Sequence, residues 1–421
     1  MSQTSITLLI LAMMVGLFLT QRIPHYITAM LGAMTLGFLG ILPMKGLFAG
    51  FSNPTLILFA GMFVIGDSMF QTGLANAVGE WAVRKMGANE RFLLWGTMFA
   101  AAVLSTVASN TGTTAALMPV VLSICYRARI PASRQLMPMA FTTGFGGFSA
   151  LIGTPPNMIV SQTLKDAGFQ PFGFFEFAWV GLPLALAGML YLDFIGRRML
   201  PAVPDSSHAP APEQPSGRSR WKMWVCACIL LGVIVVMTLD LPGVSLEAVA
   251  VAGAVLCVLT GCINGKQAIE SVEWETVLLF GSMFAVAQAM ETSGAADRLA
   301  HALLQVLGAS ANPYTLIAVP LVFTMLLGTV LSNTACAVLM APIGLFLAKE
   351  TGANPRAILM AIALAASCSF LTPLGTPPNM IVWAPGGYRF QDYLKVGIGL
   401  SVVCIIVGVL IIPMRWPVFL R

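Results

Sequence analysis

Charged side chains are scarce in this sequence. Asp, Glu, Lys and Arg make up 9% of 421 residues, against about 25% in a soluble globular domain. With 57% hydrophobic residues and a mean hydropathy of +0.86, that deficit excludes an ordinary soluble domain and points to a polytopic membrane protein. Histidine is rarer still, with three in the chain. His25 and His301 lie in or near loops and His208 in a Pro/Ser/Ala-rich stretch, so no span carries a histidine for a proton relay or a metal. HExxH is missing, and no span holds a pair of aspartates. These absences remove the nucleophile, base and metal sets of an intramembrane enzyme. CxxC is missing too. The eight cysteines lie in or at the ends of apolar runs and read as small core residues, not a disulfide framework. Segments of alternating polarity, the mark of transmembrane strands, are also lacking. The apolar runs are continuous and longer, so the expected fold is all-α.

What the chain does carry, it carries twice. Apolar spans are expected at 6–20, 27–42, 55–72 and 175–195, and again at 223–239, 244–263, 276–290 and 393–412. The first run has neither a basic n-region nor a small-residue cleavage site and reads as a retained span, not a signal peptide. Two stretches, 75–86 and 295–307, are too short and polar to span and suit interfacial helices. Two long runs, 92–126 and 314–348, are interrupted midway by Ser109-Asn110-Thr111 and Ser332-Asn333-Thr334. Two further spans, 136–164 and 358–382, are interrupted by Gly-Thr-Pro-Pro-Asn at Gly153–Asn157 and Gly375–Asn379. From Asn110 to Gly153 is 43 positions and from Asn333 to Gly375 is 42. The chain therefore reads as a first repeat over 1–200, a linker over 201–220 and a second repeat over 221–421. Each repeat has five spans, a re-entrant hairpin (about 92–126 and 314–348) and a broken helix.

The interruptions point to a site. Ser, Asn and Thr are helix N-cap residues. Inside an apolar run they end one half-helix and start the next, presenting backbone N–H groups and the positive end of a helix dipole. Proline and glycine in the second cluster unwind the chain and free carbonyls. Broken backbone at membrane depth is tolerated where it lines a cavity or binds something. Half-helix N-termini suit an anion and freed carbonyls suit a hard cation. One copy alone would more often be interhelical glue or a kink; two matched copies describe one site for an anion flanked by cations.

Five spans are an odd number, so the second repeat is expected upside down in the membrane. Fifteen Lys and Arg then collect on one face and seven on the other. The positive-inside rule makes the first face cytoplasmic. Both termini are expected outside and the linker 201–220 inside, in a bacterial plasma (inner) membrane. The net charge of +5 is topological and implies no nucleic-acid partner.

At these residues the chain resembles the divalent-anion:sodium symporter family, the sodium-coupled di/tricarboxylate and sulfate transporters. Its signature is similar throughout to the stretch from Ser367 to Val382, and both Ser-Asn-Thr tips match. The resemblance implies a homodimer with scaffold and transport domains and an elevator movement. It implies that Asn110, Thr111, Asn333 and Thr334 contact substrate carboxylates. One sodium site would fall to Ser105, Ser109, Asn110 and the Gly153 backbone, the other to Ser332, Asn333 and the Gly375 backbone. Sodium is the coupling ion implied, with no other cofactor. One departure is visible: family members usually carry a hydroxyl five residues before the second tip Asn, and here that position is Gly328, with Thr329 beside it. The expected function is import of a small di- or tricarboxylate with sodium, not catalysis. Alternatives are a sulfate or other oxyanion permease and a sodium-independent anion exchanger. An arsenite-permease-like protein or sodium/proton antiporter fits less well, because an antiporter would carry acidic residues at the breaks. Asp67, alone in its span, is a functional candidate by position; the plainer reading has it reaching interfacial water or an arginine.

Overall fold

The computed structural model describes residues 2–20, 22–86, 89–201, 219–239, 241–307 and 312–419, with backbone only at 19, 82–86, 306 and 307. Residues 202–218 of the expected linker lie outside this range. The described residues are helical, with no strand among them. The first half holds α1 (Gln3–Thr20), α2 (His25–Phe38), α3 (Pro54–Gln71), α4 (Leu74–Met86), α5 (Glu90–Ser105), α6 (Asn110–Ala128), α7 (Ser133–Phe148), α8 (Pro155–Asp166) and α9 (Ala178–Tyr191). The second holds α10 (Arg220–Leu239), α11 (Leu246–Leu259), α12 (Trp274–Thr292), α13 (Ala295–Leu307), α14 (Pro313–Leu327), α15 (Asn333–Thr351), α16 (Pro355–Ser367), α17 (Pro377–Trp383) and α18 (Phe390–Arg415). Five stretches are long and apolar enough to cross a bilayer: Met44–Gln71, Ala178–Met199, Arg220–Leu239, Asn333–Thr351 and Phe390–Arg415. The first of these adds two short 3-10 turns to α3, and the second extends α9 through a π-helical turn at Leu192–Gly196.

Local chemistry starts these helices where it should. Asn53, Asn312 and Asn354 each precede a proline and accept the N–H two residues on, at 2.9, 3.1 and 3.0 Å. The proline occupies the first helical position, where a missing N–H costs nothing, and the asparagine satisfies an orphan donor. Asn89 caps Arg91 in the same way at 3.0 Å. Both second hairpin arms end alike. After α6 the Ile130 N–H reaches the Cys125 carbonyl, and after α15 the Ala353 N–H reaches that of Ala348, both at 2.9 Å. The residue between is left-handed in each case: Arg129 (φ 56°) and Gly352 (φ 64°). This is a Schellman stop.

The helices pack in two groups, each drawing on both halves of the chain. In the first group α2 lies on α12 and α3 on α11, with α1 against α2 and α10 against α11. The exchange is reciprocal: span two of each half meets span three of the other. Gly61 makes it close, since a Cβ there would stand 2.8 Å from the Ala250 carbonyl carbon. In the second group α5 packs on α7 and α14 on α16, while α9 and α18 run together. Here α6 lies on α17 and α15 on α8, the same exchange again. Phe370 stands edge-on to Phe141 and Phe145, with ring centroids 5.1 and 5.3 Å away, and ties α7 to the second broken helix. The short amphipathic helices bridge the groups: α4 touches α5 and α6, and α13 touches α15.

Several expectations shift. The breaks were placed at Gly153–Asn157 and at its repeat, but α7 ends at Phe148 and α16 at Ser367, and the chain is helical again from Pro155 and Pro377. The paired prolines therefore begin the new helix; they do not occupy the unwound part, for the N1 reason given above. Asp193, a charged residue near the end of an apolar span, is 1% exposed. Arg91 Nε approaches its two oxygens at 3.0 and 2.8 Å, and Trp95 Nε1 donates at 3.1 Å. Arg91 and Trp95 are four apart on one face of α5, so both reach it. Asp67 is half-buried and accepts from Gln71 Nε2 at 3.2 Å; Gln71 in turn accepts from Gln267. Seven of the eight cysteines are buried, while Cys228 faces outward from α10.

Candidate functional site

Each Ser-Asn-Thr tip is a helix start between two apolar helices. The first arms, α5 and α14, have 16 and 15 residues and rise about 24 and 22 Å, short of the ~30 Å hydrocarbon core. Ser109 and Ser332 sit at the N-caps of α6 and α15. Their hydroxyls accept the Gly112 and Ala335 N–H groups at 3.1 and 3.3 Å. Asn110 and Asn333 are thus the first residues of their helices, and the positive dipole end lies at their feet. Asn110, Thr111 and Asn333 are half-buried and Thr334 is buried. The two tips are chemically neutral, with donors and acceptors but no carboxylate.

Each tip carboxamide has a hydroxyl partner. Ser105 donates to Asn110 Oδ1 from one turn earlier on the same hairpin. A Cβ added at Gly147 would come 2.5 Å from that same Oδ1 and 2.9 Å from the Gly153 carbonyl oxygen. Ser105, Asn110 and the Gly153 carbonyl, three of the four groups expected at the first cation site, therefore converge on a space kept open by the missing side chain of Gly147. Ser109 is engaged in capping. The oxygens are neutral and hard, which suits an alkali cation. At the second tip the partner of Asn333 Oδ1 is Ser369, at 3.2 Å. A Cβ at Gly375 would lie 2.9 Å from Ser369 Cβ and 3.4 Å from the Gly328 carbonyl oxygen, so Asn333, Ser369 and Gly375 share one neighbourhood.

The unwound segments are held by the asparagine that ends each Gly-Thr-Pro-Pro-Asn. Asn157 Nδ2 donates to the Phe148 and Ala150 carbonyls at 3.1 and 2.8 Å. Asn379 Nδ2 donates to those of Ser369 and Thr372, both at 3.1 Å. Some carbonyls freed by the break are thus paired within the protein, which narrows the set open to a cation. Thr154 Oγ1 and Asn157 Oδ1, beside Gly153, and Ser367 Oγ are buried polar atoms without a protein partner. Between the broken helices lies a cavity of about 10 Å³ lined by Asn110, Thr143, Ser367, Ser369, Thr376 and Asn379. That is room for about one water. Residues from both halves meet there.

These features, doubled and neutral, are matched by known proteins. The profile of a citrate transporter family matches residues 15–343 and 309–419. The chain belongs to this family. A transporter from Escherichia coli K12, YfbS, named as uncharacterized, is 24% identical over 97% of this chain and 98% of its own length. The sodium-dependent dicarboxylate transporter SdcS of Staphylococcus saprophyticus is 25% identical over 95% of this chain and 84% of its own. In fold, the chain is similar to the Alcanivorax borkumensis YdaH transporter, with a TM-score of 0.66 at 15% identity, covering 98% of each chain. It is also similar to Neisseria gonorrhoeae MtrF, with a TM-score of 0.64 at 12% identity, covering 100% of this chain and 96% of that one. The protein is an all-helical membrane transporter and not an enzyme. The family match agrees with the likeness to the divalent-anion:sodium symporters.

In this citrate-transporter family member a cavity far larger than the one between the broken helices lies away from the tips. It measures about 550 Å³ and lies between the two helix groups, lined by α8, α12, α13 and α15. Its charged groups are Asp166, Glu291 and Asp297 against Lys349, a balance that repels a carboxylate. Two residues next to the tips are likewise taken up by packing. Cys336 is buried, with its thiol directed to the Thr324 carbonyl at 3.2 Å. Gly112 faces Phe70, whose ring a Cβ would meet at 2.6 Å. Three residues of the broken helices add roles that the motifs alone do not assign: Ser369 beside Asn333, and the clamp asparagines Asn157 and Asn379. The signal for Ser369 was present, because aligning the repeats sets it against Gly147.

Proposed function

We propose that this protein is a secondary active transporter that imports a small di- or tricarboxylate with sodium. The supporting observation is the pair of neutral, asparagine-led half-helix starts, each backed by a serine hydroxyl, beside the crossing of two broken helices. Asn110, Thr111, Asn333 and Thr334 supply donors and dipole ends to the substrate carboxylates. Ser105, Ser109, Asn110 and the Gly153 backbone form one cation site; Ser332, Asn333 and the Gly375 backbone belong to the other. Bound cations offset the substrate charge, since no lysine or arginine stands at the tips. The names of the SdcS relatives support sodium and a dicarboxylate. In this reading the first helix group is a scaffold and the second a transport domain. The second moves against the first as an elevator, within a homodimer in the inner membrane. The two halves are inverted repeats spanning 1–200 and 221–421, with both termini outside and 201–220 cytoplasmic.

Reconstitution into liposomes tests this. Labelled succinate, citrate and sulfate are offered with and without an inward sodium gradient. A carboxylate should accumulate with sodium and be nearly static without it, and Asn110→Ala with Asn333→Ala should abolish uptake. Accumulation indifferent to sodium overturns symport, and full activity in the double variant overturns the site.

A further inference from the structure

We propose that Ser369 supplies the hydroxyl ligand of the second cation site, replacing the hairpin hydroxyl that Gly328 lacks. The two cation sites are then built from the same parts carried on different helices. This rests on the sodium-coupled reading above.

The repeat register aligns Ser105 with Gly328, both five residues before the tip asparagine. It aligns Gly147 with Ser369, both six residues before the signature glycine. Each pair holds one serine and one glycine, in opposite order. The structure gives this reversal a physical meaning. In the first repeat Ser105 donates to Asn110 Oδ1, and a Cβ at Gly147 would point at the same oxygen from 2.5 Å. In the second, Ser369 donates to Asn333 Oδ1 at 3.2 Å, and a Cβ at Gly328 would point at Ser369 Oγ from 3.0 Å. In the first repeat both positions face one carboxamide; in the second Ser369 faces it and Gly328 faces the Ser369 hydroxyl. There is room for one side chain between them, and each repeat places one hydroxyl there. Thr329 does not serve instead: its hydroxyl donates back to the Leu326 carbonyl of its own helix at 2.7 Å. The loop carrying Ser369 is itself anchored, by Asn379 Nδ2 on the Ser369 carbonyl at 3.1 Å and by the Thr372 hydroxyl on the Thr329 carbonyl at 3.0 Å.

A serine hydroxyl keeps lone pairs for a cation, so Ser369 completes an oxygen set with Asn333 and the Gly375 backbone. The consequence differs between sites. In the first, hydroxyl and carboxamide ride on one hairpin. In the second, the hydroxyl rides on the broken helix beside the Gly375 backbone, so that helix supplies a side-chain ligand there and only backbone at the first site.

Thermal unfolding of the purified full-length protein in detergent tests this. Sodium chloride is titrated at constant ionic strength against choline chloride. The wild type should be stabilised by sodium. Ser369→Ala should need about tenfold more sodium for half the shift, in line with the loss of an ordering group at a metal site. Gly328→Ser alone should be crowded against Ser369, whereas Gly328→Ser with Ser369→Gly should restore the wild-type response. A Ser369→Ala protein with an unchanged sodium midpoint overturns the proposal alone. So does a folded double variant, judged by far-ultraviolet circular dichroism, that responds as weakly as Ser369→Ala. A wild-type protein without sodium stabilisation overturns the sodium reading and this proposal together.

Discussion

At the scale of single residues, the site depends on what is missing as much as on what is present. Gly147 and Gly144 lie on the same helix, one turn apart, but only Gly147 is a glycine for reasons of space. Their neighbourhoods differ. A Cβ at Gly144 would meet the Ser367 carbonyl at 3.5 Å and the Phe370 ring at 3.9 Å, ordinary contact distances. A Cβ at Gly147 would stand 2.5 Å from Asn110 Oδ1 and 2.9 Å from the Gly153 carbonyl oxygen. That carbonyl belongs to the backbone and cannot rotate aside, so the tip must move. We expect Gly147→Ala to remove uptake in proteoliposomes and Gly144→Ala to retain it. Equal activity in the two variants would show that the space beside Asn110 is unused.

At the scale of elements, each broken helix is an interrupted ladder braced by an asparagine side chain. Five residues separate Phe148, the end of α7, from Thr154, the cap of α8. The Asn157 amide closes that gap by pairing two of its carbonyls. Asn157→Ala leaves the Phe148 carbonyl unpaired in a buried place, at a cost of about 1–3 kcal/mol, and leaves the Ala150 carbonyl with the Gly153 N–H alone, at 3.2 Å. The expected result is a lower midpoint of thermal unfolding without change in the helical content of the folded protein. Asn157→Asp keeps the shape but replaces a donor by an acceptor facing two carbonyls, so it should lower the midpoint at least as far. An Asp variant as stable as wild type would mean that the clamp is not needed. Most of this element level was legible in advance, because helix starts and stops are local chemistry. Asn-Pro pairs, Ser caps and the left-handed stops each involve residues within a few positions of each other. The location of the breaks was read several residues late, since a proline pair marks the restart of a helix as readily as its interruption.

At the scale of the molecule, two helix groups share both halves of the chain, and the tips belong to one of them. The 550 Å³ cavity between the groups carries acidic side chains, while the tips carry none. This separation bears on the coupling ion. Asn110, Thr111, Asn333, Thr334, Ser105 and Ser369 have no side chain that gains or loses a proton near neutral pH. A proton gradient therefore has no group at the site on which to act. With sodium absent, acidifying the outside from about pH 7.5 to 6 should not drive accumulation of a substrate that stays fully ionised over that range, such as sulfate or a strong diacid. With sodium present, uptake of the same substrate should be nearly flat across the range. Proton-driven accumulation without sodium would move attention to Asp166, Glu291 and Asp297. The grouping itself was beyond local reading. That span two of one half lies on span three of the other follows from long-range packing, such as Gly61 against Ala250, and no local pattern encodes it.

The amino-acid sequence by itself determined the solvent this protein lives in, the order of its helices, the doubling of the chain and, in each copy, the Ser-Asn-Thr tip where a helix restarts inside an apolar run. It did so because hydropathy, capping and proline chemistry are local properties, and because two matched copies leave little room for coincidence. Only the tertiary structure decided which oxygens face each tip. The hydroxyl beside Asn110 comes from five residues away and is visible in the sequence. The hydroxyl beside Asn333 comes from Ser369, 36 positions along the chain, and is brought there by the folding of the broken helix against the hairpin. The same holds for the buried pairing of Asp193 with Arg91, 102 positions apart. Local spacing names the residues able to do the chemistry; packing selects which of them meet.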